Sequence, residues 1–212
     1  MVKRNCAFKK AFFDALWQAT LSEMVAAIGN NDLPYRGEVE RAAASINGNI
    51  KAHKGTLRSY QQTYRDEIVG IVDVNGDLAA NVMCGMAADE GIVPPQEGSP
   101  EWNQSANSCR KLLIAAFKRP STKAALRTMH IYASLHAGLR WDKGTNFTAN
   151  HFYDFDHAAS ALAYCDAFFT EGFLSNLINA RHIRLDEING CRTTNDVAQA
   201  VEILRTLSSS DI

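Results

Sequence analysis

The feature that most restricts the fold is a change of hydrophobic period near residue 154. Upstream, apolar residues recur every three or four positions, the spacing of one face of an α-helix. In residues 5–28 they are Phe8, Phe12, Ala15, Leu16, Leu21, Val25 and Ile28, and the turn-rich GNNDLPYRG follows, so a helix and then a loop are expected. Residues 38–88 continue in the same way, with interruptions at NGN (47–49) and NGD (75–77) that predict two or three helices. MAADEGIVPPQEGSPEW reads as an exposed connection, with Ser99 and Pro100 opening the next helix. Helical spacing resumes over 103–118 and 121–140, broken at RPST, where Ser121 is placed to cap the second helix, and WDKGTNFTANHFY reads as loop.

From Asp154 onward helical and β-like runs alternate. A short Ala-rich helix is followed by the strand-like DAFFT, a short helix through FLSNLIN, a strand candidate at HIRL, and a last helix NDVAQAVEILRTL after CRTT. Such alternation is the mark of parallel βαβ units. The expected class is α/β but predominantly helical, with a small parallel sheet in the last third behind a large helical region. Residues 1–93 are read as helical and 94–212 as helices plus the α/β portion, packed as one body.

Composition excludes several classes. At 46% hydrophobic and 21% charged residues, the chain has the make-up of an ordinary globular protein. Its longest apolar runs, such as LLIAAF (112–117), are far shorter than the roughly 20 residues of a membrane span. The first 17 residues lack the apolar core and cleavage site of a signal peptide, so no membrane association and a cytoplasmic location are expected. Cys6, Cys84, Cys109, Cys165 and Cys191 are odd in number and form no C-x-x-C pair, which argues against a disulfide framework or structural zinc. The Asn146-Phe147-Thr148 sequon carries no weight in an intracellular setting.

Charge is nearly balanced, at −1 overall, but unevenly distributed. Between Trp102 and Trp141 there is no acidic residue, while Arg110, Lys111, Lys118, Arg119, Lys123, Arg127 and Arg140 are basic. Asp142, Asp154, Asp156, Asp166 and Glu171 then follow, facing Lys143 alone. Two readings stand: solvated faces of opposite sign, or a cationic surface for an anionic polymer beside an acidic metal cradle.

Element lengths bring two of those acids together. A helix from Asp154 to Cys165 descends about 16 Å at roughly 1.5 Å per residue. Five strand steps from Cys165 to Thr170 climb about the same distance at roughly 3.3 Å each. Asp154 and Glu171 would then share the carboxyl edge of the sheet, with His157 on the helix face of Asp154, Asp156 turned elsewhere and Asp166 at the opposite edge. Adjacent carboxylates need an offset, and Mg2+ or Mn2+ bound through oxygen is one. Equally, Asp154 could be an N-cap and Glu171 a solvated turn residue.

The run D-x-x-H-A-A-x-A-L-x-Y-C-D-x-F-F-T-E, Asp154 to Glu171, resembles the last third of PIN-like nucleases, in which an Asp opening a helix precedes an apolar strand ending in T-D or T-E. RHIRLDEINGCRTTNDVAQAVEIL is similar to the closing strand, loop and helix of some of them, so the resemblance covers roughly residues 128–206. It implies three or four acidic residues holding Mg2+ or Mn2+ and metal-assisted RNA cleavage. Asp154 and Glu171 match two of those positions, Thr170 supports the strand end, and Arg110, Lys111, Lys118, Arg119, Lys123 and Arg127 would hold RNA. An antitoxin-like or self-association partner is compatible with it.

The chain departs from that pattern at its start, where MVKRNCAFKK replaces the family's strand ending in an Asp. Asp73 in IVGIVDVNGDL is a substitute if that run is a strand, although YRDEIVGIVDVNGDLAANVM also reads as helix-turn-helix. Glu23 is the candidate for the family's helical glutamate. The site is then completed by another residue, or the chain is a shortened or inactive relative, and a non-enzymatic binding protein on a degenerate scaffold is the competing function. His151, Asp154 and His157 as a transition-metal set is disfavoured by the expected loop before Asp154 and the lack of a nearby third histidine. DVNGD lacks the pattern of a calcium loop, and neither G-x-x-x-x-G-K-[ST] nor G-x-S-x-G occurs.

Overall fold

The computed structural model describes residues 36–53, 55–142 and 144–210. Residues 42–212 form one compact unit, and residues 36–41, the start of the first described helix, belong to a second. The described elements are α1 (Arg36–His53), α2 (Tyr60–Asp89), α3 (Pro100–Ala116), α4 (Pro120–Ala125), α5 (Arg127–Trp141), α6 (Ala149–Tyr164), β1 (Ala167–Phe169), α7 (Gly172–Ile178), α8 (Leu185–Asn189), β2 (Arg192–Thr194) and α9 (Val197–Ser210). The chain is thus mostly helical with a small parallel sheet. The expected N-terminal helix and Glu23 lie outside the described residues.

Two expected breaks are absent, and tertiary partners explain both. NGN lies inside α1 because the Asn47 amide is used across the fold: its Nδ2 donates to the Phe147 carbonyl at 2.8 Å and its Oδ1 accepts from the Phe147 N–H at 2.7 Å. NGD lies inside α2, which runs unbroken for 30 residues. Asn75 Nδ2 donates to the carbonyl of Ile71 one turn back, Asp77 pairs with Arg110 of α3, and Gly76 leaves the space that the Arg110 stem fills. A Cβ at residue 76 would collide with that stem, so the glycine permits a close helix contact rather than a turn. The helix-turn-helix reading of residues 64–83 is therefore corrected.

Helix α2 is also the one described helix long and apolar enough to cross a membrane, with mean hydropathy 1.2 over its best window. Tyr64, Ile68 and Val72 are buried in one cluster with Phe117, Ala133 and Ala137, and Ala80 packs with Trp102 and Ala106. Part of its apolar content is therefore consumed by packing on α3 and α5.

Helix α3 starts as expected, with Ser99 Oγ accepting from the Trp102 N–H and Pro100 in the first turn. Helix α4 starts earlier than expected: Arg119 is the N-cap and Pro120 opens the helix, so Ser121 lies inside it. Helix α5 is the central element. His130, Ile131, Ala133, Ser134, Leu135, Ala137, Gly138 and Leu139 are all buried, and its two sides serve different clusters. Within it, His130 Nδ1 is 2.8 Å from the Tyr64 hydroxyl while its Nε2 has no partner. Burial, helped by Lys123, lowers His130 to about 4, and burial with Arg140 does the same to His136.

Strands β1 and β2 pair in parallel, Ala167 with Arg192 through Phe169 with Thr194, extended by Arg192 N–H to the Asp166 carbonyl at 2.9 Å and Thr170 N–H to the Thr194 carbonyl at 3.1 Å. The second strand lies at RTT and not at HIRL. Ile183 and Leu185 do alternate inward, but Arg184 between them adopts φ 49° and Leu185 begins α8. Both side chains join the main core beside Ile131, Phe155 and Ile178.

Candidate functional site

Helix α6 begins at Ala149, five residues before the expected start, with Thr148 as N-cap and His151 Nδ1 accepting the Thr148 N–H at 3.0 Å. A glutamate or glutamine is the usual residue three positions after the cap, so the start was hard to read. Asp154 therefore sits in the second turn and is not a cap. Phe155, Ala158, Ala159, Leu162 and Ala163 bury one side of α6, leaving Asp154 half-buried and His157 exposed.

Because β1 and β2 are parallel and in register, the residues following each strand emerge on one edge. There Glu171 holds the N-cap position of α7 without a side-chain cap bond. Asp196 precedes α9, and its Oδ1 accepts the Gln199 N–H at 2.8 Å. A cavity of about 500 Å3 opens at this edge, lined by Asp154, His157, Thr170, Glu171, Asn195 and Asp196 among others. A second, of about 260 Å3, lies between the starts of α6 and α7 and is lined by Asn150, His151, Tyr153, Asp154, Glu171 and Phe173 among others. Asp154 and Glu171 line both, and neither carboxylate accepts a hydrogen bond from a described residue. Asp156 and Asp166 line neither.

Asp196 was missed in the sequence because its strand was placed at HIRL, ten residues too early. Asp73, the substitute acid, lies exposed on α2 and lines neither cavity, so it does not end a strand. His151 and His157 do share α6 with Asp154, contrary to the expected loop. His151 is nonetheless committed to ring contacts with Phe147, Phe155 and Phe173, and burial lowers its pKa against the opposing pull of Asp154.

Among the described residues no group of three or more His, Cys, Asp or Glu side chains is arranged to hold a metal ion. The donors at the edge are two uncommitted carboxylates and one with an oxygen engaged as a cap. That set does not make a closed zinc-type site, which needs four protein ligands. It is compatible with Mg2+ or Mn2+, which keeps several waters and takes one or two carboxylates plus phosphate oxygens.

The basic residues are placed differently from the acids. Arg127 donates to the Ala163 carbonyl at 2.8 Å, and Thr128 meets the Tyr164 hydroxyl at 3.3 Å, at the C-terminal end of α6. Nine helical residues, about 14 Å, separate Ala163 from Asp154. Arg110 is paired with Asp77, and the Lys123 ammonium lies 5.1 Å from the Tyr64 ring centroid. Lys111, Lys118 and Arg119 are exposed.

Sequence reasoning also missed an apolar cleft of about 640 Å3 between α2, α3 and α5, lined by Leu78, Val82, Met83, Leu113, Met129 and Tyr132 among others and by no charged residue. No protein-family model, curated protein or solved structure matches the chain.

Proposed function

We propose that the protein is a metal-dependent ribonuclease-like hydrolase of PIN-like architecture, working at the carboxyl edge of the β1–β2 sheet. The observation that carries this proposal is that Asp154 and Glu171, from separate elements, line the same two cavities, their carboxylates without a hydrogen-bond partner among the described residues. Asp154 and Glu171 would hold Mg2+ or Mn2+ there. The ion, when bound, supplies Lewis-acid activation of water and neutralises charge developing on the phosphate. Thr170, through its N–H bond to Thr194, fixes the strand end that presents Glu171. His157, on the rim, is available to carry a proton to or from the reacting phosphate. Lys111, Lys118 and Arg119 would bind phosphates further along the RNA.

The test is cleavage of a fluorescent single-stranded RNA with Mn2+. Cleavage should fall at least about 100-fold in Asp154→Asn and in Glu171→Gln, as for loss of a group stabilising transition-state charge. Cleavage unchanged in both variants would exclude this edge. A second reading, a non-enzymatic interaction protein on a degenerate PIN-like scaffold, is favoured by the apolar cleft, where Leu78 is 65% and Val82 56% exposed. Intact RNA with every divalent ion tried would leave that second reading.

A further inference from the structure

The smaller cavity beside the carboxylates has a chemistry that metal binding does not explain. Of the exposed phenylalanine and tyrosine side chains among the described residues, Tyr153, Tyr164, Phe169 and Phe173, all but Tyr164 line one of the two cavities that Asp154 and Glu171 share. Isolated exposed rings are ordinary; here Tyr153 and Phe173 share the smaller cavity, while Phe169 lines the larger one. Phe173 and His151 lie with ring centroids 4.9 Å apart and planes tilted by 31°, forming one aromatic wall. His151 Nδ1 accepts the Thr148 N–H, so in the neutral ring the proton is on Nε2, a donor. Opposite in character are the two carboxylates, which only accept, while Asn150, Thr148 and Tyr153 add groups that can donate or accept. The lining contains no lysine or arginine, so the occupant is not an anion.

We propose that this cavity is a nucleobase subsite, taking an unpaired base stacked against Phe173 and preferring cytosine or another amino-bearing base to uracil. Its occupancy by a base rests on the ribonuclease reading above. Every base offers a π-face to an aromatic wall, which accounts for affinity. Selectivity follows from the acceptors. The cytosine amino group donates to a carboxylate, whereas uracil presents a carbonyl oxygen at the same position and meets like charge. A carboxylate has about four lone-pair positions, so one that contributes to ion binding retains an acceptor for the base.

Neutral nucleosides test this on the full chain without phosphate repulsion. Cytidine, uridine and methyl ribofuranoside are titrated in EDTA and followed by saturation-transfer NMR. Cytidine should bind about tenfold more tightly than uridine, and methyl ribofuranoside should not bind. Phe173→Leu, which keeps apolar volume and removes the π-face, should weaken cytidine about tenfold, and Phe173→Tyr should restore it. Uridine binding as tightly as cytidine, or a Phe173→Leu protein that binds cytidine unchanged, overturns the proposal. Mn2+-dependent RNA cleavage reads the ribonuclease proposal separately: discrimination without cleavage retains the subsite and removes the ribonuclease, and cleavage without discrimination does the reverse.

Discussion

Two desolvated histidines, His130 buried and His136 partly so, give the protein a specific sensitivity to acid. His130 and His136 are held near 4 against an ordinary 6.5, chiefly by desolvation. Their folded values lie below their unfolded ones, so between pH 6.5 and 4 the unfolded chain binds more protons and stability falls as pH falls. Above 6.5 their contribution is complete and flat. Each should remove up to about 1.4 kcal/mol per pH unit inside that window. Urea midpoints measured at pH 7.5, 6.0 and 5.0 should show the decline beginning below 6.5, and His136→Gln should roughly halve it. A midpoint constant from 7.5 to 5.0 would mean that these imidazoles are not desolvated. The desolvation comes from the helices packed around α5, which no local pattern in the sequence shows.

At the scale of elements, small residues decide where helices bend, pass or dock. Gly85 and Gly138 are both helical glycines. A Cβ at 85 would meet no described atom within 4 Å, whereas one at 138 would lie 2.5 Å from Ile183 Cδ1 and 2.8 Å from Leu177 Cδ1. Gly85→Ala should therefore raise stability by about 0.5–1 kcal/mol through helix propensity alone. Gly138→Ala should lower it by about 1–2 kcal/mol, since overpacking exceeds the same propensity gain. Denaturant melts of the pair check both signs. Asn47→Ala removes both hydrogen bonds to the Phe147 backbone and leaves that N–H and carbonyl unpaired, at a cost of about 1–3 kcal/mol. If Asn47→Ala melts like wild type, the NGN segment needs another reason to stay helical.

For the whole molecule, the separation of acids and bases along α6 sets the scale of any RNA contact. Arg127, engaged at Ala163, lies about 14 Å along α6 from Asp154, so under the ribonuclease proposal a strand reaching both would have to span the helix. If Asp154 and Glu171 hold the ion, folding and metal binding are linked. Mn2+ at 100 times its dissociation constant should stabilise the native protein by about 2.7 kcal/mol. A calorimetric melting temperature that rises with Mn2+ in wild type and not in Asp154→Asn meets that expectation, and equal shifts in both would place the ion elsewhere.

Local pattern was enough for the predominantly helical α/β class, the Ser99–Pro100 helix start, the β1 strand and the last helix, because each is set by spacing and capping within a few residues. It also brought Asp154 and Glu171 to one edge, since the rise per residue of a helix and a strand is general. What it missed depended on distant partners: Asn47 with Phe147, Gly76 with Arg110, and Ile183 with Gly138. Asp196 joined the edge only when β2 paired at 192–194, and Arg127 was placed at the far end of α6 by its bond to the Ala163 carbonyl. Contacts between residues 34 to 100 positions apart leave no periodic trace, so the packed chain alone decided them.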